Sequence, residues 1–416
     1  MTARSRLPAR ALTLLLAALS MLGPFATDSY LPALPGVGQR FGVGDEAAQL
    51  TLSVYLFCYA VMTLCYGVLS DSFGRRRVML AALSLFTAAS VGATLAPGFG
   101  ALLAFRAAQG ASAGAGMVIG QAIVRDTLSG AAVPRTLAHI MMVFALAPAI
   151  APVLGGQLNA AFGWRAIFAL LSAFAAALFV VCLRWLPESL PPAARHAFRP
   201  RVIVRNHAAA LRHRRFLLGI FANGFAFGGF ALYISCAANF VMRILHQPDT
   251  AFGWLFVPLI AGVIAGSAQS ARMAGRHGNH ATARAGLAVT ALAALVNLAG
   301  NACWTAALPW AVVPLALYAF GMALAMPAMS AITQAWLPGT RGLAASLQNF
   351  VQMFIFALIS ACAPPLVFDA PLRMAAGLAV AVACGIACWL AGTTRAAREP
   401  GRQDGAPAPC AECATE

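Results

Sequence analysis

Twelve long apolar runs divide this chain, and they restrict it to one kind of fold. Each run is about 20 residues long, enough to cross roughly 30 Å of hydrocarbon as a helix. Hydrophobic residues make up 61% of the 416 residues and charged residues only 10%, against about 25% charged residues in a soluble protein. The sequence therefore predicts an all-α polytopic membrane protein with 12 transmembrane helices in two six-helix halves. The predicted spans are residues 11–32, 48–69, 78–97, 100–124, 137–159, 164–186, 216–240, 251–271, 282–303, 308–330, 342–366 and 372–393.

The basic residues predict how the spans are oriented. The chain contains no lysine, and 23 of its 28 arginines lie on the side of the N-terminus, four lie on the other side, and Arg106 lies inside a span. Because short cytoplasmic loops are enriched in basic residues, we expect both termini in the cytoplasm of a bacterial inner membrane. The net charge of +16 then also attracts anionic lipid headgroups. Nucleic-acid binding is disfavoured, because the arginines are spread over many short turns.

The longest polar segment predicts the division of the chain. Residues 187–215 hold four prolines and separate two sets of six spans. We expect an N-terminal half over 1–186, a cytoplasmic linker over 187–215, a C-terminal half over 216–393 and a disordered cytoplasmic tail over 394–416. Two such repeats suggest a substrate path between them. Residues 1–22 resemble a signal peptide, but the apolar run reaches full span length, so we expect an uncleaved first helix.

Cysteine and histidine give no sign of a metal or redox site. Eight of the ten cysteines fall in predicted spans, where cysteine packs as a small apolar residue. Cys410 and Cys413 form a lone C-x-x-C in the tail, and a disordered tail is favoured over a metal or redox role. The seven histidines show no metal-ligand spacing, and no phosphate-binding loop is present. We expect a monomer that is not an enzyme and has neither cofactor nor metal.

A charged turn between spans 2 and 3 interrupts the apolar sequence. Residues 67–77 read G-V-L-S-D-S-F-G-R-R-R, and the glycines permit close approach of the two helix ends. The pattern resembles the loop between helices 2 and 3 of the major facilitator superfamily of secondary transporters. The equivalent segment 266–276 of the second half keeps glycine and arginine but has no acid.

Our hypothesis for this turn is a conformational latch. Asp71 would pair with the arginines at 75–77 and face the positive N-terminal end of span 11 near Gly342, an arrangement that would stabilise the state closed to the cytoplasm. The alternative is a positive turn that only fixes topology. The predicted members of the latch are Gly67, Asp71, Gly74, Arg75, Arg76 and Arg77, joined by Arg125 and Asp126 at the inner end of span 4.

Two further segments match patterns of the same superfamily. Residues 106–114 in span 4 resemble its R-x-x-Q-G-x-x-x-G pattern, and residues 147–156 in span 5 resemble its antiporter motif G-x-x-x-G-P-x-x-G-G. Ala147 and Ala151 replace the first two glycines, which weakens the antiporter inference. The predicted hinge residues of a rocking span 5 are Pro148, Pro152, Gly155 and Gly156.

A narrower resemblance is to the Bcr/CflA-type drug–proton antiporters. It is carried by T-D-S-Y-L-P-A-L-P at residues 27–35 and F-G-W-R-A-I-F at residues 162–168, with shorter matches in spans 7, 8 and 11. This resemblance implies proton-coupled efflux of drugs, and hence a role in antibiotic resistance. It also implies that Arg106 takes part in proton coupling.

Asp28 and Arg106 are the two ionisable residues that lie clearly within predicted spans. A charge at such depth costs roughly 2.5–3.5 kcal/mol and is rarely kept without a use. Asp28 lies two-thirds along span 1, before Pro32 and Pro35 break the helix, and we expect it to carry the proton. Arg106 cannot lose its proton, so it would tune Asp28 or bind a substrate dipole. The alternatives are an aspartate that caps a helix and an arginine satisfied by backbone carbonyls or Gln109.

The substrate cavity is predicted only by residue type. A pocket rich in aromatic residues and methionine suits varied, weakly polar compounds, and Asp28 leaves room for cationic or neutral ones. Secondary transport of one endogenous metabolite is the alternative function, while a membrane enzyme would need a catalytic cluster that the sequence lacks. The primary candidates are Tyr30, Gln109, Asn223, Tyr233 and Asn349. The wider set adds Tyr55, Met141, Phe227, Asn239, Tyr318, Met322, Gln348 and Gln352, and ordinary packing is the alternative for every one of them.

Overall fold

The computed structural model describes residues 8–130, 132–195, 200–337, 341–368 and 370–394, and this part of the chain is helical with no strand. The predicted tail, with Cys410 and Cys413, lies outside the described residues. The α-helices are α1 Ala9–Asp28, α2 Leu34–Phe41, α3 Asp45–Phe73, α4 Arg75–Thr94, α5 Phe99–Ala113, α6 Ala115–Thr127, α7 Ala132–Phe162, α8 Trp164–Trp185, α9 Pro200–Leu211, α10 Arg214–Ser235, α11 Gly253–Cys303, α12 Val313–Ala335, α13 Arg341–Cys362, α14 Pro364–Val367 and α15 Pro371–Thr394. Short 3₁₀ segments at Leu31–Ala33, Pro192–Ala194 and Asp249–Phe252 and a π-helical segment at Asn239–Ile244 complete the order.

The described residues contain 11 helical segments long and apolar enough to cross a membrane, one fewer than predicted. The difference arises in α11, which runs for 51 residues but has non-helical backbone angles at Gly278, with φ 79° and ψ 166°. Glycine adopts this positive φ without the steric penalty that a side chain brings. The break leaves roughly 25 residues on either side, so α11 provides two crossings. The all-α membrane fold is confirmed.

The first crossing differs from its prediction. The unit from Arg10 to Phe41 is 32 residues long, because the chain passes from α1 through the 3₁₀ turn into α2. Pro32 and Pro35 lie in the first turns of the 3₁₀ segment and of α2, where a missing N–H leaves no hydrogen bond unmade. The expected break of the helix near these prolines is present, because α1 ends at Asp28 and the 3₁₀ turn precedes α2, while the continuation to Phe41 goes beyond the predicted end at residue 32. Asp28 lies somewhat beyond the middle of this unit.

Two groups of helices pack against each other. The first group contains the described residues up to 195, and the second contains those from 200 onwards. Within the predicted linker, α9 covers Pro200–Leu211. Between the groups, α3 packs along α13, and α7 packs against α11 and the 3₁₀ turn before it. We call the end that carries Gly74 the inner end and the opposite end the outer end, following the predicted orientation.

Candidate functional site

A cavity of about 300 Å³ lies between the two groups of helices. Its wall is mostly aromatic and aliphatic, and Asp28 is the one acidic residue among the described residues that line it, with no basic residue beside it. Two amides, Asn349 and Gln352 of α13, add the other strongly polar groups. The lining residues are Gly23, Pro24, Thr27, Asp28, Tyr55, Leu56, Tyr59, Met117, Phe144, Pro148, Phe227, Phe230, Ile234, Asn349, Gln352, Met353 and Phe356.

Asp28 is almost fully buried, with 3% of its surface exposed. In the described part of the chain, its carboxylate makes no hydrogen bond and no ion pair. The neighbouring hydroxyls are engaged within their own helix, since Thr27 donates to the Gly23 carbonyl at 3.2 Å and Ser29 to the Phe25 carbonyl at 2.6 Å. A carboxylate with no protein partner, at the edge of a cavity, is available to a proton or to a ligand. The capping alternative has no such support in this geometry.

Arg106 of α5 is wholly buried and lies behind the cavity wall. Its Nε donates to the Thr51 carbonyl at 3.2 Å, and its Nη1 donates to the Ala26 carbonyl at 3.4 Å and to Gln109 Oε1 at 3.0 Å. Its Nη2 finds no hydrogen-bond partner in the part of the chain that the structure describes. Backbone carbonyls and Gln109 thus satisfy much of the guanidinium, as the structural alternative expects. No ion pair joins Arg106 to Asp28 in the described residues, so their joint role stays a prediction.

Aromatic rings enclose the Arg106 guanidinium on several sides. Its central carbon lies 4.7 Å from the ring centroid of Tyr30, 4.3 Å from that of Tyr55 and 5.8 Å from that of Phe168. A cation over an aromatic face is stabilised by the ring quadrupole, more so when it is desolvated. The rings therefore supply part of the compensation that a carboxylate would otherwise provide.

Two predicted cavity residues of the first group lie outside the cavity. Tyr30 is fully buried, and its hydroxyl shares a 2.9 Å hydrogen bond with Thr51. Gln109 is also fully buried, and its Nε2 donates to Ser90 at 2.8 Å while its Oε1 accepts from Arg106. Their polar groups hold neighbouring helices together in this structure, and their assignment as cavity residues stays a prediction.

Two predicted cavity residues of the second group also lie outside this cavity, and their assignment likewise stays a prediction. Asn223 is fully buried and donates to the Gly219 carbonyl of its own helix at 2.9 Å. Tyr233 accepts a 2.9 Å hydrogen bond from Asn297 of α11, which ties α10 to α11. Asn349 is the one primary candidate that lines the cavity, and Tyr55, Phe227 and Gln352 of the wider set line it too.

At the inner end, Arg75 organises the charged turn. Its guanidinium pairs with Asp71 at 2.5 Å and with Asp126 at 3.1 Å, and it donates to Ser70 at 2.6 Å. Its backbone N–H donates to Glu188 at 2.9 Å. Gly74, before it, has φ 98°, a conformation that favours glycine. The turn thus links α3, α4 and α6 to the segment that follows α8.

The remaining latch candidates contribute unequally. Arg76 donates to the Leu183 carbonyl at 2.6 Å, whereas Arg77 and Arg125 are exposed and make no ion pair or hydrogen bond in the described residues. Gly67 has open space where a side chain would begin, so the expected close approach is absent there. The partners of Asp71 and Arg75 all lie between Ser70 and Glu188. A contact with span 11 therefore stays a prediction for another conformation.

At the outer end, uncharged groups join the two groups of helices. Gln49 of α3 donates to the Ser235 carbonyl at 3.1 Å and to Ser360 Oγ of α13 at 3.0 Å. Ser53, one turn further along α3, also donates to Ser360 Oγ at 3.0 Å. We call these four residues the outer lock. An exposed ion pair of 2.5 Å between Asp45 and Arg243 lies nearby.

The glycine pair of α7 lies where backbones meet at the outer end. A Cβ on Gly155 would overlap the backbone carbonyl of Ser29, and one on Gly156 would overlap that of Asp249 in the second group. Pro148 lines the cavity, while Pro152 lies within the same unbroken helix α7. The glycines thus serve close packing here, and the hinge role of these four residues stays a prediction.

Comparison with known proteins identifies the family. A model of the Major Facilitator Superfamily matches residues 14–237, more than half of the chain. The chain belongs to the major facilitator superfamily. As a member, it is a multi-pass membrane transporter, and its helical crossings and central cavity fit that class.

Relatives within the superfamily agree with the narrower resemblance to Bcr/CflA-type antiporters. A bicyclomycin resistance protein homolog from Haemophilus influenzae is 29% identical over 282 residues, which are 68% of this chain and 71% of that protein. Multidrug resistance protein D from Escherichia coli is 32% identical over 180 residues, 43% of this chain and 46% of that protein. The match thus spans less than half the length of the second relative.

Among solved structures, the peptide transporter POT in complex with alafosfalin gives a TM-score of 0.75 at 14% identity, covering 93% of this chain and 94% of that chain. At this identity the likeness concerns the fold of the superfamily alone.

Proposed function

We propose that this transporter exports small, partly hydrophobic compounds in exchange for protons, by alternating access across a bacterial inner membrane. The names of its relatives, which refer to resistance to bicyclomycin and to multiple drugs, point to toxic compounds as cargo. We further infer that both termini face the cytoplasm, because 23 of the 28 arginines lie on that side. The protein is taken to act as a monomer.

The observation that carries the proposal is the single acid in an apolar cavity. Phe144, Phe227, Phe230 and Phe356 provide flat, weakly polar surfaces that accept many shapes. Asp28 supplies one negative charge, and a charge in such surroundings is costly unless a proton or a cation neutralises it. A proton and a compound that both engage this cavity can therefore alternate, which is the essence of antiport.

The two groups of helices supply the moving parts of the proposal. Residues 1–186 and 216–393 would rock against each other about the cavity, with 187–215 as the linker. The outer lock holds the outer ends together in the present conformation, while the inner latch engages when the inner ends close. Pro148 and Pro152 in α7 would let that helix bend during the movement.

The test is proton-driven efflux by an Asp28→Asn variant. Asparagine keeps the size and polarity of the side chain but cannot exchange a proton, so efflux should fall to the level of cells without the protein. Glu46→Gln is the matched control, because Glu46 is an exposed acid in the first turn of α3 with no ion pair in the described residues. Everted vesicles would be assayed with a panel of fluorescent and antibiotic compounds.

Undiminished efflux by the Asp28→Asn variant, at equal amounts in the membrane, would exclude the proposed role of this residue. A response restricted to one compound in the panel would favour the second candidate, a carrier of a single endogenous metabolite.

A further inference from the structure

The wall between the cavity and Arg106 contains a side chain that faces both. Tyr55 of α3 lines the cavity together with Asp28, and its ring centroid lies 4.3 Å from the guanidinium carbon of Arg106. Only 1% of Tyr55 is exposed. The carbonyl of Ala26, two residues before Asp28, accepts a 3.4 Å hydrogen bond from Nη1 of the same guanidinium. A buried cation and a buried carboxylate thus lie in the same region with an aromatic ring beside them.

The position of Tyr55 is fixed at both ends. Its hydroxyl donates to the Gly23 carbonyl of α1 at 2.9 Å. Its backbone packs so closely against α5 that a Cβ on Gly110 would overlap the Tyr55 carbonyl. A ring held by a hydrogen bond at its tip and by packing at its base cannot swing away without breaking one of these contacts.

Arg106 and Asp28 need to be kept apart, because their opposite charges would attract each other strongly in direct contact. In a medium of low dielectric constant, opposite charges in contact form a pair that is hard to break. Asp28 bound to Arg106 in this way would remain ionised and would not exchange protons with the cavity. Among the described residues, the Nη2 atom of Arg106 has no hydrogen-bond partner, so it is available as a donor for such a pair.

We propose that Tyr55 is a positioning residue that keeps Arg106 from pairing with Asp28, so that the carboxyl stays open to a proton or a cationic compound. This inference rests on the proposed proton-coupled function. The ionisable groups that line the cavity with Asp28 are Tyr55 and Tyr59, both on α3. Tyr59 stacks on Tyr55 with centroids 6.4 Å apart, and it is Tyr55 that lies over the guanidinium.

The test measures the protonated state of Asp28 directly with dicyclohexylcarbodiimide, which reacts with protonated carboxyls in apolar surroundings. Purified full-length protein in detergent would be labelled, digested and examined by mass spectrometry for the modified peptide that contains Asp28. Tyr55→Ala should lower this labelling by about tenfold, because the charge pair forms. Tyr55→Phe keeps the ring and should preserve labelling, and Tyr59→Ala removes a neighbouring ring of the same wall and should also preserve it.

Removal of the cation should reverse the effect. Adding Arg106→Gln to Tyr55→Ala should restore labelling, whereas a merely structural loss would not be repaired by a second substitution. Tyr55→Leu serves as a second ring-free variant if the alanine variant does not fold. Equal labelling of the wild type and of both ring-free variants would overturn the role of Tyr55 while leaving the proposed function intact. Absence of labelling in the wild type would instead contradict the proton-carrying role of Asp28.

Discussion

Ser360 is the centre of the outer lock, and its removal gives the most direct test of alternating access in this protein. The side chain is fully buried, and its oxygen accepts hydrogen bonds from Gln49 and from Ser53. Ser360→Ala removes both bonds and adds no bulk. Hydrogen bonds between membrane helices are worth about 0.6 kcal/mol each, so the outward-closed state should lose about 1.2 kcal/mol. This corresponds to a roughly sevenfold to eightfold shift toward the outward-open state.

The shift can be read from the exposure of a buried reporter. Leu56 lines the cavity and lies about one turn beyond Ser53, on the inner side of the lock. With the native cysteines replaced, Leu56→Cys should react with a membrane-impermeant thiol reagent, added outside whole cells, about seven times faster when Ser360 is alanine. Ser346→Ala is the control, since Ser346 lies on the same helix and bonds only to the Leu343 carbonyl.

An unchanged reaction rate in Ser360→Ala would refute the reasoning, and so would an equal rise in the Ser346→Ala control. A double-mutant cycle sharpens the result. The double variant of Ser360→Ala and Gln49→Ala should destabilise the outward-closed state by less than the sum of the two single variants, because the two side chains share one hydrogen bond.

Two further substitutions test the packing of the outer end and the inner turn. Gly156→Ala places a methyl group against the Asp249 carbonyl and should destabilise the protein by about 1–3 kcal/mol. The control is Gly36→Ala, which has open space around it and should change the stability little. Thermal unfolding in detergent measures both variants, and equal melting temperatures would contradict the close packing at Gly156. Arg75→Gln should lower the free energy of unfolding by about 1–3 kcal/mol, because its charged hydrogen bonds are lost. Arg77→Gln, at an exposed position, should lower it by at most about 0.5 kcal/mol. A similar loss of stability for both variants would show that burial of Arg75 is unimportant.

The number of crossings was within reach of the sequence, because the thickness of the hydrocarbon layer sets the length of an apolar run, while their direction stays a prediction from arginine placement. The first crossing shows the limit of those rules. Pro32 and Pro35 predict a break in the first helix, and α1 does end at Asp28, but the sequence did not predict that α2 then continues to Phe41 with both prolines at first-turn positions. Whether a proline breaks a helix depends on its position in the local hydrogen-bond pattern, which composition does not reveal.

The cavity wall was predictable in kind but not residue by residue. In a membrane, the lipid side and the protein side of a helix are both apolar, so hydropathy does not report how a helix is rotated. Tyr30 and Tyr55 illustrate this, since both contact Arg106 but only Tyr55 lines the cavity. Asp28 was predictable as a candidate because a carboxylate inside a span stands out against any apolar background.

In the inner turn, the contact between residues close in sequence was predictable and the contact between distant residues was not. The pair of Asp71 and Arg75 is four residues apart on the chain, and its contact was expected from the local pattern. Glu188 was missed, because it reaches the Arg75 backbone from 113 residues away and stands in a segment read only as linker. Contacts over such separations depend on the packed fold and leave no periodic signal.

The outer lock consists of an amide, hydroxyls and a backbone carbonyl, and none of these groups titrates or carries a net charge. Ions in the medium screen charges and leave neutral hydrogen bonds almost unaffected. The four residues of the outer lock should therefore hold the outer ends together almost independently of salt concentration and pH, whereas the exposed Asp45–Arg243 ion pair beside them is open to screening. The outer lock thus separates closure of the outer end from proton binding, because its own hydrogen bonds need no charged group and the proposed proton site is the carboxyl of Asp28 in the cavity.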